Sequence, residues 1–264
     1  MLKGAIHLHT TYSDGERSLA ELVALFRDSG CSFACVTDHA DYFDARRAQE
    51  YVDECRSLSS PDFVVIPGLE FSCDRRMHVL GVGVTELCPS VDPQLVFAHI
   101  ASHGGVSVIA HPADAAFPWI DSFERLPDAI EAWNTKYDGR YGPRARTFDL
   151  LAQLQQRKPE LLAFYGQDLH WRRQFNGMYT FVHTSELSLA AILSALRDGR
   201  YHAEKEQVTL PASGNIDRGL LERLDRAQSR WMRLRRFLMS AYRMTGRARS
   251  MLPASIKAHL RRVI

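Results

Sequence analysis

The sequence predicts an α/β fold: a barrel-like sheet wrapped by helices, with a helical extension at its C-terminal end. Three observations carry that prediction. Short β-rich runs alternate with helical patterns through residues 1–213. The side chains able to do chemistry fall mostly at or just past the C-terminal ends of those runs, where α/β barrels place their sites. Charge also splits the chain. Residues 214–264 hold 13 Lys and Arg against 3 Asp and Glu, a surplus of +10, so the net charge of +2 leaves −8 on residues 1–213.

In order, residues 2–8 form a first apolar run, followed by the polar turn Thr10-Thr11-Tyr12-Ser13-Asp14-Gly15. Leu19, Leu22, Val23, Leu25 and Phe26 repeat with helical spacing up to Gly30. Residues 33–37 read as the next strand and lead into Asp38-His39, and residues 63–66 lead through Pro67-Gly68 to Glu70. Residues 79–84, 106–110, 129–133 and 162–165 complete seven runs, the fifth entering His111-Pro112 and the seventh reaching Asp168 and His170. Residues 190–197 read as a closing helix that Gly199 ends.

Composition narrows the class. At 45% hydrophobic and 24% charged, the chain is expected to bury a real core. No apolar stretch approaches the length a membrane span needs, and no signal region opens the chain, so a cytoplasmic location is expected. The five cysteines (Cys31, Cys35, Cys55, Cys73 and Cys88) are odd in number and form no CxxC, which argues against disulfides or a zinc ribbon.

Six of the 11 histidines sit at the ends of runs: His7, His9, His39, His78, His111 and His170. Two residues apart on a strand, His7 and His9 share a face, and Asp168 with His170 repeats the arrangement. An isolated His at a strand end is ordinarily structural. Here HxH, DH, E, H, HP and DxH recur at successive runs, and imidazole with carboxylate is the ligand chemistry of Zn, Mn or Fe. His99, His103, His183, His202 and His259 fall outside the pattern.

The segments His7-Leu8-His9-Thr10-Thr11-Tyr12-Ser13-Asp14-Gly15, Val36-Thr37-Asp38-His39, Pro67-Gly68-Leu69-Glu70, His78-Val79-Leu80-Gly81, Ala110-His111-Pro112 and Gln167-Asp168-Leu169-His170 resemble, in order, the motifs of the PHP (polymerase and histidinol phosphatase) superfamily. The resemblance covers roughly residues 1–203 and implies a distorted seven-stranded (β/α)7 barrel holding two or three divalent ions. His7, His9, Glu70 and Asp168 would hold one ion. Glu70, His78 and His111 would hold a second, with Glu70 bridging, and His39 and His170 with Asp14 a third. Many trinuclear relatives carry a histidine where this chain has Asp14, and Gly166-Gln167-Asp168 stands where relatives often show Gly-Ser-Asp. The Asp14 form is similar to the branch of nucleotide phosphodiesterases and 5′-to-3′ exonucleases.

Hydrolysis of a phosphate ester by a metal-bridging hydroxide is the implied reaction, with Asp14, His39, Asp168 and His170 as the catalytic candidates. No GxSxG, P-loop or strand-borne GxGxxG competes with it. Lys136, Arg140, Arg144, Arg172 and Arg173 are candidate phosphate donors, since arginine's planar fork matches phosphate oxygens in pairs. Asn134 and Tyr137 are candidates for orienting substrate, and Trp119 and Trp171 for lining the pocket. The alternatives are a small-molecule monoesterase of histidinol-phosphate phosphatase type, or a non-catalytic metal-containing nucleic-acid-binding module.

Residues 214–264 stand apart as a basic extension. Leu220, Leu224, Ala227, Trp231, Leu234, Leu238 and Ala241 form an apolar helical stripe among Arg223, Arg226, Arg230, Arg233, Arg235 and Arg236. That pattern suits a helix docked on the barrel or on a second subunit of a homo-oligomer. It also suits an arm for nucleic acid or anionic lipid. Gly246 and Pro253 suggest a second short basic helix beyond it.

Overall fold

In a computed structural model, residues 1–244 are described, with their side chains through residue 238. His259, the second basic helix and the side chain of Ala241 lie outside the described residues. The seven runs form β1 (Leu2–Leu8), β2 (Phe33–His39), β3 (Val64–Ser72), β4 (His78–Val82), β5 (Val106–Ala110), β6 (Ala129–Asn134) and β7 (Leu162–Gly166). Around them lie α1 (Leu19–Asp28), α2 (Ala45–Leu58), α3 (Pro93–Ser102), α4 (Phe117–Asp121), α5 (Ala145–Gln155) and α6 (Leu189–Arg197).

The expectation of seven strands is corrected here. Among the described residues the sheet has ten, in the order β10-β9-β8-β1-β2-β3-β4-β5-β6-β7, the added ones being β8 (Met178–Val182), β9 (Tyr201–Lys205) and β10 (Val208–Pro211). These three are short and antiparallel, and β8 and β9 each bury only alternate residues. With His202, Glu204 and Lys205 in β9, they lack the continuous apolar run that marks a barrel strand.

One edge of β1 is shared. Leu2–Gly4 pair with β8, and the chain past β7 takes over beyond them, with Gln167 N–H donating to Ile6 O, Leu169 N–H to His7 O and His9 N–H to Leu169 O. Those bonds nearly close β1–β7 into a barrel. β4 runs antiparallel to both β3 and β5, so His78, its first residue, reaches the rim that the other strands reach with their C-terminal ends.

Period two sorts the side chains. Phe33 and Cys35 of β2, Ile66 of β3, Val106 and Val108 of β5 and Phe164 of β7 fill the barrel. Their neighbours Ala34, Val36 and Val65 face outward onto α1 and α2, against Leu22, Phe26 and Tyr51. Ile192, Leu193 and Leu196 of α6 pack into the interior set at the end opposite the rim. Ser18 starts α1 with a capping box to Glu21, and Gly30 ends it at φ 73°.

The basic extension begins as α7 (Arg218–Met244). Its docked line is Leu221, Leu224, Gln228 and Trp231 rather than the stripe through Ala227 and Leu234, which are exposed. The seat explains the shift. Backbone lies beneath the helix, so Gln228 Oε1 accepts from Tyr141 N–H at 3.0 Å, and Trp231 meets the Tyr141 ring at 5.3 Å. Gly139, at φ 116°, leaves room for the Gln228 amide, which a Cβ there would strike. Among the described residues no helix is long and apolar enough to cross a membrane.

Lys205 is a charge placed at a cost. It is buried on β9 with Nζ donating to Asn176 O at 2.7 Å, and burial brings its pKa down to about 8. Between that value and the unfolded value of about 10.4 the unfolded chain binds the extra proton, so stability attributable to this site rises with pH. In urea melts, wild type should therefore gain on Lys205→Met between pH 7.5 and 10. Parallel pH profiles for the two proteins would refute this.

Candidate metal centre

At the rim the strands carry nine side chains into one space. Six of them, His7, His9, Glu70, Asp168, His111 and His170, are buried or nearly so. His39 and His78 are partly open, and Asp14 stands at the mouth. Four overlapping groups have ligand atoms within 4.8 Å of one another: His7, His9 and Asp168; His7, Glu70 and His111; His39, Glu70 and His78; and His9, Asp14, His39 and His170.

Local backbone distortion makes this convergence. His7, His111 and Asp168 adopt φ values of 60°, 29° and 50°, a region that residues with a Cβ rarely enter. At His7 the register of β1 against β2 slips between Ala5 and Leu8. Ile6 then joins the interior set while Leu8 packs outward with α1. An undistorted strand starting from Ile6 would turn His7 outward.

Glu70 is the hub. Its Oε1 lies 2.9 Å from His78 Nδ1 and 3.2 Å from His111 Nε2, and its Oε2 lies 3.2 Å from His9 Nε2, 3.3 Å from His39 Nδ1 and 3.5 Å from His7 Nε2. Asp168 Oδ1 approaches His170 Nδ1 at 3.0 Å, and Asp14 Oδ1 lies 3.1 Å from His170 Nε2.

The electrostatics are coupled. Burial pushes the His7 imidazole down, but Glu131, Asp168 and Glu70 outweigh it and hold His7 well above its usual value. Burial would likewise raise Glu70 and Asp168, yet chiefly the charge of His7 keeps both well below the carboxylate range. His9 behaves oppositely, brought down to about 4 mainly by burial, and so stays neutral with one lone pair available.

Divalent ions fit these residues. His7 Nε2, His9 Nδ1 and His9 Nε2 are buried and have no hydrogen-bond partner, an arrangement costly in a site built only for hydrogen bonding. All three lie within 4 Å of carboxylate oxygens of the cluster.

The structure adds residues that the sequence reading passed over. Glu131, buried on β6, accepts from His7 Nδ1 at 2.8 Å, from the His111 backbone N–H at 2.8 Å and from Asn134 Nδ2 at 2.8 Å. It is the carboxylate that fixes the tautomer and aim of His7. Asp38 accepts from Thr10 N–H and Oγ1 and from Ser13 Oγ, and so shapes the loop that presents Asp14. Arg75 and Arg76, at φ 55° and 59°, border a cleft of about 320 Å³ together with His78, His111 and Tyr137. Glu131 could have been found as an acid inside an otherwise apolar run. The two arginines carry no comparable signal.

Among proteins whose families are established, the PHP domain matches residues 5–241 of this chain. The chain belongs to the PHP domain family. That match runs past the motif-bearing residues and takes in most of the described part of α7. No curated protein matches the chain. Among solved structures, it is similar to a two-domain protein from Bacteroides vulgatus ATCC 8482 containing a predicted PHP-like metal-dependent phosphoesterase. That likeness has 19% identity and a TM-score of 0.57, over 86% of this chain and 69% of the other. It is also similar to PsfC from Pseudomonas syringae PB-5123, with 15% identity and a TM-score of 0.49, over 73% of this chain and 88% of that one.

In this PHP barrel the candidate phosphate donors have different surroundings. Lys136 lies in the cluster, its Nζ donating to Asp168 Oδ1 at 3.0 Å and standing 3.3 Å from His170 Nδ1. Arg144 is committed elsewhere, donating to Asp138 and Asp114 at 2.6 Å each and to Pro112 O at 2.7 Å. Arg140 and Arg172 are exposed, and Arg173 stacks on Trp171 at 5.2 Å. Asn134 Nδ2 bonds both Glu131 and Asp168, and the Tyr137 ring lies 4.2 Å from that of His111 at the mouth. Trp119 sits under the Arg75 guanidinium at 4.6 Å, and Trp171 borders His170.

Proposed function

We propose that the chain is a metal-dependent phosphoesterase acting on nucleotides or oligonucleotides. Residues 1–213 form its catalytic unit and residues 214–264 its basic extension. The observation that carries this reading is the set of three unpartnered imidazole nitrogens buried among Glu70, Asp168 and four further histidines. His7, His9, Glu70, His78, His111 and Asp168 would hold two divalent ions, and His39, His170 and Asp14 a third. Mn, Zn and Fe all suit these donors. Such ions lower the pKa of water and offset phosphate charge.

The chain's own residues do the rest. Glu131 and Asn134 hold His7 and Asp168 in place, so the donor set needs little reorganisation. Lys136 sets an ammonium beside Asp168, where it meets a phosphate oxygen entering from the mouth. Arg75 and Arg76 give the cleft two cations with no carboxylate partner among the described residues, unlike Arg144 and Arg146, which both pair with Asp114. With the third ion absent, Asp14 and His39, partly open beside His170, would be placed to take or give a proton at the solvent side.

The test is turnover of bis-p-nitrophenyl phosphate and p-nitrophenyl phosphate with Mn²⁺, then with chelator. Chelator-sensitive hydrolysis favouring the diester is expected. Preference for the monoester would move the chain to the histidinol-phosphate phosphatase type. Bound metal without turnover of either compound would leave a non-catalytic module.

A further inference from the structure

The distal part of α7 presents a surface that the barrel does not use. The docked line ends at Trp231, and beyond it Leu234 and Phe237 are 49% and 69% exposed. Leu234 and Phe237 are one turn apart, and exposed Arg230, Arg233 and Arg236 stand beside them at the same spacing. Adjacent large apolar side chains rimmed by charge mark an interaction surface. Charge then selects the partner. From Arg226 to the end of the sequence there are 11 Lys and Arg and no Asp or Glu.

A second copy of this helix is a poor occupant, since pairing would set arginine rows against each other. A nucleic acid would meet the arginines but leave Leu234 and Phe237 uncovered. An anionic bilayer surface meets both needs at once: headgroup phosphates for the guanidinium groups and the acyl boundary for the apolar side chains. We propose that the distal half of α7 seats this protein on an anionic lipid surface, with Phe237 and Leu234 entering the headgroup–acyl boundary. The helix docks on residues 139–142, which follow Lys136 and Tyr137 in the same loop, so the seat lies close to the mouth of the metal centre.

The experiment is co-sedimentation of the full chain with vesicles of phosphatidylcholine alone and of phosphatidylcholine with phosphatidylserine, at two salt concentrations. Binding to the anionic vesicles should exceed that to the neutral ones by about 10-fold or more and weaken with salt. Leu234→Ser/Phe237→Ser should lose about 10-fold of that binding with an unchanged melting temperature, because both positions are exposed. Arg233→Gln/Arg236→Gln should lower binding and flatten its salt dependence. Equal binding to both vesicle types overturns the proposal. So does undiminished binding by the serine variant, which would mark a purely ionic polyanion site. A single-stranded oligonucleotide that binds while the vesicles do not overturns it as well.

Discussion

Glu70→Gln should cost the protein more activity than any other single exchange that keeps side-chain shape. The carboxylate faces five histidines, with both oxygens within 3.5 Å of imidazole nitrogens. An amide keeps the volume but replaces one acceptor with an NH₂ donor, which then confronts lone pairs that should face an ion. Since Glu70 belongs to two of the four ligand groups, both lose their anion together. Metal content should fall by at least one ion per chain at equal supply, read by elemental analysis. Diester turnover (kcat/KM) should fall by about 10³-fold or more, beyond the loss from one transition-state donor. A variant with full metal content and activity within a few-fold of wild type would remove Glu70 from the centre.

The sequence made parts of this legible because two independent signals coincided there. β1, β2, β5 and β7 are largely apolar runs, and a polar ligand at or just past the end of each contrasts with what precedes it. β3 was legible only to Ile66, because Pro67-Gly68 looks like a turn, yet the strand continues through Glu70 to Ser72. Pro67 brings no N–H to the sheet, and its carbonyl accepts from Gly83 N–H at 3.0 Å. The orientation of β4 was hidden. His78 begins that strand rather than ending it, and only the antiparallel pairing brings it to the rim. The bulge at His7 was hidden too, since period two gives His7 and His9 one face in a flat strand without indicating which.

What remained out of reach depends on contacts between distant segments. Glu131 is an acid within an apolar strand, and its meaning lies in His7, 124 residues away. In α7 the heptad-like spacing of Leu220 to Ala241 marks one apolar stripe in the sequence. The docked line nevertheless passes through Gln228, because the surface it meets is backbone with hydrogen-bonding groups of its own. Amphipathic patterns locate apolar stripes, but the polarity of the receiving surface decides which residues are buried.

Gly166→Ala tests whether Glu131 has the place assigned to it. A Cβ on Gly166 would lie 1.8 Å from Glu131 Oε1 and 3.0 Å from the His7 Cβ, so the methyl group and the carboxylate cannot both stay. The backbone of β7 is paired with β6 at this residue and has little freedom to yield. The carboxylate must therefore leave His7 Nδ1, the His111 N–H and Asn134, and a buried charge without its partners costs about 3–5 kcal/mol. For a domain of this size that amounts to roughly 10 °C in melting temperature, at about 2–4 °C per kcal/mol. Metal affinity should fall by about 10–100-fold through the lost aim of His7. The decisive measurement is a double-mutant cycle with Glu131→Ala. Once the carboxylate is gone the methyl group has space, so Gly166→Ala should add under about 1 kcal/mol in that background. If the exchange costs the same with and without Glu131, the tight packing of β6 on β7 rather than the carboxylate explains the glycine, and Glu131 loses its role in holding the centre.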